Sequence, residues 1–349
     1  MIRIPEITIT YEGKDITTDI SPYVRRFTYT DVLTEKSSDI SLELEDKAGN
    51  WLKDWYPKKG SVIKATIAYQ GETPLNCGLF QLDDFGFSFP PSIVTLGALA
   101  TDVKLSLREK RTEAYEKQTL KDIATKVASR HGLTVKGEIK EIAIDRCTQD
   151  NQTDLEFLVR IAKEYNYLVK IENGDLIFWT QEELDKEPTL FIIDKTQIAS
   201  LRVTDKREGI YKSCEISYQL AKEKEELKHT EPDPNIKEGD ILKIKDKCET
   251  KEQAIEKAKA ALKKANSSQI EATMTMEGVA DLLAGINFDL EGFGVFAGKY
   301  QVTEVTHTVT KNKGWDCRIR CRKIDPETAT KAGEESTPPT QENDTATTE

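Results

Sequence analysis

The period of the hydrophobic residues changes twice along this chain, and this change constrains the fold more than any other feature. Near the N-terminus, apolar and polar residues alternate along short segments, as in strands with one buried face. These segments are residues 7–11, 27–29, 40–44, 62–69, 79–82 and 93–99. Alternation returns later, at residues 198–203, 213–220, 241–244, 270–276, 286–290, 300–309 and 316–322. Short strands at this spacing predict two barrel-like β-domains, at residues 1–110 and 189–325.

The intervening residues 111–188 have a helical pattern instead. Thr119 with Asp122 predicts a helix start, and Gly132 can end that helix. Thr153 with Glu156 predicts a capping box for a second helix. We therefore predict an inserted α/β domain with two helix-strand units, and an α+β fold that is mainly β.

The second predicted helix has a recognisable core-facing stripe. Its members share helical spacing and are Leu155, Leu158, Ala162 and Tyr165. Asn166 can end this helix in a left-handed turn, and Asn173-Gly174 then suits the tip of a hairpin. The second half of the insert is therefore predicted as a helix followed by two paired strands.

Two further segments of the second predicted β-domain do not have the alternating pattern of a strand. Residues 221–240 are charged and include Pro232 and Pro234, so we predict a loop or a long hairpin tip. Thr250 with Gln253 predicts the start of a helix over residues 251–265. Its alanine stripe suits a helix that lies flat on a sheet, and comprises Ala254, Ala258, Ala261 and Ala265.

The last residues, 326–349, have no aliphatic side chain larger than that of alanine, and no aromatic one. They carry six acidic residues against Lys331 alone. Such a segment buries too little apolar area to offset its ordering entropy, so we expect a disordered acidic tail.

Charge and composition narrow the function classes. The formal net charge is −11, with Lys and Arg dispersed along the sequence, so we expect no stable nucleic-acid binding. We also expect no membrane insertion, because no stretch of about 20 apolar residues is present. Residues 1–6 lack the basic and apolar blocks of a signal peptide, so export by that route is not expected.

The sequence predicts no catalytic residue, no cofactor and no metal site. Common nucleophile, zinc-protease and phosphate-loop motifs are missing, and we expect the histidines at 131, 229 and 307 to be structural. Cys317 and Cys321 fall on one face of a predicted strand but have no second ligand pair for zinc. The adjacent Asp83 and Asp84 should point to opposite faces of a strand. Residues 292–298 suit a tight β-turn better than a dinucleotide loop, since no helix follows.

Aromatic residues supply the candidate interaction site. Phe85, Phe87 and Phe89 alternate immediately before two prolines, which places their rings on one strand face. Trp51, Trp55 and Tyr56 occupy a turn-rich segment. Core burial accounts for either group, and so does a subunit or partner interface, where aromatic residues are enriched.

Several segments resemble one protein family. Residues 149–162 read Gln-Asp-Asn-Gln-Thr-Asp-Leu-Glu-Phe-Leu-Val-Arg-Ile-Ala, which is similar to a segment of the phage late-control D proteins. Residues 78–84 with 90–96, residues 110–123 and residues 298–307 resemble further segments of that family, in the same order. These proteins form the central hub of contractile tail baseplates and are related to the hub part of type VI secretion spike proteins.

The resemblance implies a structural baseplate hub in a phage tail, an R-type bacteriocin (tailocin) or a related injection particle. It implies a homotrimer in which two β-domains per chain form a pseudo-sixfold ring between the hexameric tail tube and the trimeric spike. Its implied partners are the spike, the tail tube protein, and other baseplate and tape-measure proteins. Assembly would take place in the bacterial cytoplasm. Two alternatives remain, a tail-associated cell-wall hydrolase and a carbohydrate-binding β-protein.

Overall fold

The computed structural model describes residues 3–324, except residues 34–36, 101–108, 173, 207, 220–225, 235, 249 and 268. The predicted acidic tail, residues 326–349, lies outside the described residues. The fold is mainly β, as the sequence predicts. Its N-terminal region consists of β1 (Pro5–Tyr11), β2 (Lys14–Asp15), α1 (Thr17–Ile20), β3 (Val24–Val32), β4 (Asp39–Glu45), β5 (Val62–Tyr69), β6 (Leu75–Ser88) and β7 (Ile93–Ala100).

A first α/β unit follows the N-terminal strands. It consists of β8 (Lys110–Thr119), α2 (Leu120–His131), β9 (Thr134–Lys136), β10 (Ala143–Thr153), α3 (Asp154–Glu164), β11 (Tyr167–Glu172), β12 (Asp175–Thr180) and α4 (Gln181–Lys186). The predicted capping box of Thr153 and Glu156 is confirmed, because the Thr153 side chain accepts a hydrogen bond from the Glu156 backbone N–H and the Glu156 side chain accepts one from the Thr153 backbone N–H. The predicted helix start at Thr119 is also confirmed, and Thr119 and Asp122 form the same reciprocal arrangement. Asn166 has a φ of 62°, which confirms the left-handed turn after α3.

The remaining strands complete the C-terminal region. They are β13 (Thr189–Ile193), β14 (Ile198–Asp205), β15 (Tyr211–Gln219), β16 (Glu226–Pro232), β17 (Asp240–Lys247), β18 (Ile270–Glu277), β19 (Asn287–Leu290), β20 (Gly298–Thr310) and β21 (Gly314–Lys323), with α5 (Lys251–Asn266) after β17. The prediction of a loop over residues 221–240 is wrong in part. Strand β16 lies in that range and pairs with β15 along its whole length.

One large sheet joins the two ends of the chain. Its strand order is β14-β18-β21-β20-β3-β4-β7-β6-β5-β1-β2, and β19 pairs with both β20 and β13. The junction is the antiparallel pair β3–β20, in which Tyr29 lies opposite His307 and Phe27 opposite Val309. Strands of both predicted β-domains therefore continue into each other, and the division of the chain into those domains stays a prediction.

Buried side chains form four clusters. One lies among β1–β7 and includes Trp315, and another lies among β13, β14 and β18–β21. The first α/β unit has its own core around Phe157 and Phe178. A fourth cluster joins α5 to the three-stranded sheet β16-β15-β17, which we call the second α/β unit. The helix that the sequence placed with the second β-domain thus packs on a separate small sheet.

Candidate functional site

The structure brings the two predicted aromatic groups together. Tyr56 and Phe85, 29 residues apart in sequence, have ring centroids separated by 4.7 Å. Trp55 makes edge contacts with Trp51 at 5.6 Å and with Tyr23 at 5.7 Å. Segments that the sequence offered as separate candidates are therefore neighbours at one end of the N-terminal strands.

The six candidates differ in burial. Trp51 is only 6% exposed and belongs to the core, and Phe85 is partly buried against that core. The other four are exposed, by 39% for Trp55, 59% for Tyr56, 47% for Phe87 and 74% for Phe89. These four side chains are called the aromatic surface below. Packing in the core explains why an aromatic residue is present at position 51. A ring as exposed as that of Phe89 contributes little to the folding of an isolated chain.

An apolar cavity of about 440 Å³ adjoins the aromatic surface. Trp55 and Tyr56 line it together with Trp51, and aliphatic side chains of β1, α1 and β5 form much of the remaining wall. The charged residues Asp19, Asp54 and Lys58 also line it. A cavity with this lining suits an apolar side chain of a protein partner rather than a charged metabolite.

A buried polar cluster in the first α/β unit explains several residues of the 149–162 segment. The carboxylate of Asp154 accepts hydrogen bonds from Arg130 at 2.9 Å, Gln149 at 2.8 Å and His131 at 2.6 Å. The Asp154 side chain is fully buried, as is that of His131. Burial alone raises the pKa of the Asp154 carboxyl, but these hydrogen bonds lower it more, so its pKa is below the ordinary value.

The location of this cluster favours a structural role. Asp154 is the first residue of α3, so its carboxylate lies at the positive end of that helix dipole, and His131 is the last residue of α2. Sequence reasoning missed the cluster, although an acid directly after an N-cap was visible. It recognised Thr153 and Glu156, which act locally, and not the contact of Asp154 with a helix 23 residues earlier.

The sequence profile described as "Phage tail baseplate hub (GPD)" matches residues 99–313 of this chain. The chain belongs to the phage tail baseplate hub family. A probable baseplate hub protein of Escherichia phage 186 is 28% identical over 176 residues, which make up 50% of this chain and 44% of that protein. The chain therefore spans less than half the length of this relative.

Solved structures share the fold of this hub-family chain. A 43 kDa tail protein of prophage MuSo2 from Shewanella oneidensis aligns with a TM-score of 0.69 at 17% identity, covering 93% of this chain and 99% of that one. A component of the E. coli type VI secretion system aligns with a TM-score of 0.57 at 13% identity, covering 87% of this chain and 74% of that one. At these identities the likeness establishes the fold alone.

His307, Cys317 and Cys321 of this hub-family chain are buried between strands of the large sheet. His307 is buried, stacks on Tyr29 and lies 2.9 Å from the Leu282 carbonyl oxygen, and burial lowers its pKa to about 4. Cys317 and Cys321 share the buried face of β21, and burial raises the pKa of Cys317 to about 12. These thiols are therefore protonated at neutral pH.

The structure does not bring the remaining sequence candidates, Asp83, Asp84 and residues 292–298, into one site. Asp83 and Asp84 are exposed beside an irregularity between β6 and β7, and residues 292–298 form the connection between antiparallel strands β19 and β20. Within the described ranges, no group of three or more His, Cys, Asp or Glu side chains is arranged to hold a metal ion. None of the described helices is long and apolar enough to span a membrane.

Proposed function

We propose that this hub-family chain is a structural baseplate component that acts through protein–protein interfaces and has no catalytic turnover. The observation that carries the proposal is the aromatic surface beside an apolar cavity, in a chain of the baseplate hub family. Large exposed aromatic side chains next to a pocket are the typical composition of an interface hot spot. The particle is a phage tail, an R-type bacteriocin or a related contractile injection system.

We further propose that three copies form a pseudo-sixfold ring. Support comes from the β3–β20 pairing, through which one chain contributes two β cores to a single sheet. Three such chains would present six β cores around one axis, and closed cyclic symmetry is the usual arrangement of homo-oligomers. A ring of this kind would adapt a hexameric tail tube to a trimeric spike, and other baseplate and tape-measure proteins would contact its periphery.

Mass photometry of the purified full chain tests this assembly, alone and with the spike protein of the same particle. We expect a trimer in at least one of the two samples, and class averages from cryo-electron microscopy should then show six lobes. A monomer in both samples would contradict the ring.

The role of the aromatic surface has its own test. The double variant Phe87→Ser with Phe89→Ser should keep its circular dichroism spectrum and melting temperature but lose assembly with a subunit or the spike. Val295→Ser is the matched control, because Val295 is 83% exposed and lies on the β19–β20 connection instead. Assembly that survives the double variant would show that the interface lies elsewhere.

A peptidoglycan zymogram tests whether the chain hydrolyses the bacterial cell wall. We expect no clearing from the purified full chain. Clearing that disappears when Asp83 or Asp84 is replaced by Asn would favour a tail-associated hydrolase over the structural role.

A further inference from the structure

One face of the second α/β unit is basic, although the whole chain carries a formal net charge of −11. Along β17, Leu242 and Ile244 pack toward the core beneath α5. The alternate residues, Lys243, Lys245 and Lys247, are exposed on the opposite face of the sheet. Lys228 of β16 joins them, because it lies opposite Ser217 and Ser217 lies opposite Lys245. These four lysines are called the lysine face.

Positive charge on this face is only partly neutralised. Glu215 of β15 lies between the two outer strands, opposite Lys243, and its carboxylate is 3.8 Å from the ammonium group of Lys228. In the part of the chain that the structure describes, Lys243 and Lys247 have no ion-pair partner. The sequence disperses these lysines over 20 residues, and the pairing of β16, β15 and β17 collects them on one surface.

The chain itself contains a segment with the complementary charge. Residues 326–349 hold six acidic residues against one lysine, and they follow directly on the described structure. Within that segment, Glu342 and Asp344 are two residues apart, as are successive lysines of β17. An extended segment repeats its side chains every two residues at about 6.6 Å, so carboxylates spaced in this way can each meet a lysine of β17.

The last strand ends beside the second α/β unit. Lys323 lines the same cavity as Pro232, at the end of β16, and Lys259 of α5. Asp344 comes 20 residues after Ile324, which spans up to about 66 Å when extended. From Ile241 to Lys247 the face extends over about 20 Å at strand spacing. One chain can therefore carry its own acidic residues to its own lysine face.

We propose that the lysine face is the docking site of the acidic C-terminal segment, residues 326–349, of the same chain. The segment binds by charge complementarity, so its attachment is sensitive to salt and reversible. Docked there, it neutralises the basic surface of an otherwise acidic protein and covers it against other polyanions.

Carbodiimide crosslinking of the full chain tests this docking, because the reagent joins a carboxylate to an amine only when the two are in contact. Crosslinked peptides are mapped by mass spectrometry at about 20 mM and about 500 mM salt, which differ severalfold in screening length. We expect crosslinks from Glu334, Glu335, Glu342 and Asp344 to the lysine face at low salt, and loss of most of them at high salt. Mixing isotope-labelled with unlabelled chains distinguishes crosslinks within one copy from those between copies.

Charge reversal provides the decisive comparison. Lys243→Glu with Lys247→Glu should remove most tail crosslinks, including those that could form with neighbouring lysines. Lys14→Glu with Lys64→Glu is the matched control on exposed positions of β2 and β5, and should leave them unchanged. If the first variant misfolds by circular dichroism, Lys243→Gln with Lys247→Gln removes the same two positive charges without adding acids, and tail crosslinks to the remaining Lys228 and Lys245 should then decrease.

Several results would overturn the proposal. Tail crosslinks scattered over lysines of the whole molecule would show that these lysines only protect an exposed edge strand from pairing. Crosslinks exclusively between copies would assign the segment to a neighbouring chain. Submicromolar binding of duplex DNA to the full chain at low salt, lost in Lys243→Glu with Lys247→Glu, would make the face a nucleic-acid site instead.

Discussion

The two α/β units of this hub-family chain are packed with side chains of different sizes. In the first, large side chains lie between the helices and a three-stranded sheet, such as Phe157 of α3 and the strand residues Tyr167 and Phe178. In the second, α5 contributes Ala254, Ala258 and Leu262, which pack on Cys214, Ile216 and Tyr218 of β15. Large side chains fill a wide gap between layers, whereas alanines allow a helix to approach closely.

The two units also differ in their buried charged side chains. The first unit buries the carboxylate of Asp154 among donors from three positions, whereas the second buries the ammonium group of Lys257 beside partly exposed carboxylates. There Lys257 bridges Asp246 at 2.8 Å and Glu164 of α3 at 3.1 Å, and so connects the two units. One unit is therefore stabilised by contacts within it, and the other partly by contacts with its neighbour.

The largest effect is expected from Asp154→Asn. The substitution removes the charge that Arg130 and His131 face, and breaking a buried ion pair costs about 3–5 kcal/mol. Because folding lowers the pKa of Asp154, its contribution is complete above about pH 4 and is lost as pH falls through the folded pKa. Urea melts at neutral and acidic pH measure this, and hydrogen exchange should increase in α2 and α3. An equal increase in α5 would show that the units unfold together.

Leu158→Ala should cost about 2–5 kcal/mol, because Leu158 is fully buried in the core of the first unit. Leu190→Ala is the control, since Leu190 is 59% exposed and its loss should change stability by less than about 0.5 kcal/mol. Denaturant melts of both variants provide the measurement. Similar losses for the two would mean that the burial of α3 is misassigned.

Ala258→Leu should destabilise the second unit by about 1–3 kcal/mol, because Ala258 is fully buried in the contact between α5 and its sheet and a leucine there would overpack it. Lys264→Leu on an exposed position of the same helix controls for the change in helix propensity. Thermal melts compare the two variants. An unchanged melting temperature for Ala258→Leu would indicate a loosely packed contact between α5 and its sheet, and would contradict the difference in packing between the units.

The smallest effect is expected from Glu156→Ala, at about 1 kcal/mol, through loss of the reciprocal capping bond to the Thr153 backbone. Gln253, at the equivalent position of α5, donates instead to the Ala143 carbonyl oxygen of the first unit. Gln253→Ala should therefore increase hydrogen exchange at the contact between the units, while Glu156→Ala increases it only in the first turn of α3. The same exchange pattern for both would contradict this distinction.

Sequence reasoning recognised the first unit and overlooked the second. Capping signals and strongly apolar stripes predicted α2, α3 and the β11–β12 hairpin within a residue or two. Strands β8, β10 and β16 escaped prediction because they are largely polar and alternate weakly. Helix α4 escaped although its N-cap Thr180 and Glu183 form the same capping box as in α2 and α3.

The candidate site was predictable only as a set of residues. Alternation marked Phe85, Phe87 and Phe89, and the turn-rich segment marked Trp51, Trp55 and Tyr56, but nothing local indicated which rings are exposed. Exposure depends on how far the core extends beneath β6, so Phe85 is partly covered and Phe89 is not. Their role in an interface stays a prediction.

Features whose hydrogen bonds close within a few residues follow from the sequence alone. Thr119, Thr153 and Asn166 fix helix ends, because cap side chains and left-handed turns satisfy backbone groups three or four positions away. No local pattern indicates that β3 pairs with β20, about 280 residues later, or that lysines of β16 and β17 share a face; both depend on the tertiary structure. An alternating strand shows which of its faces is buried but not which strand will lie beside it, because backbone hydrogen bonds are the same with any partner.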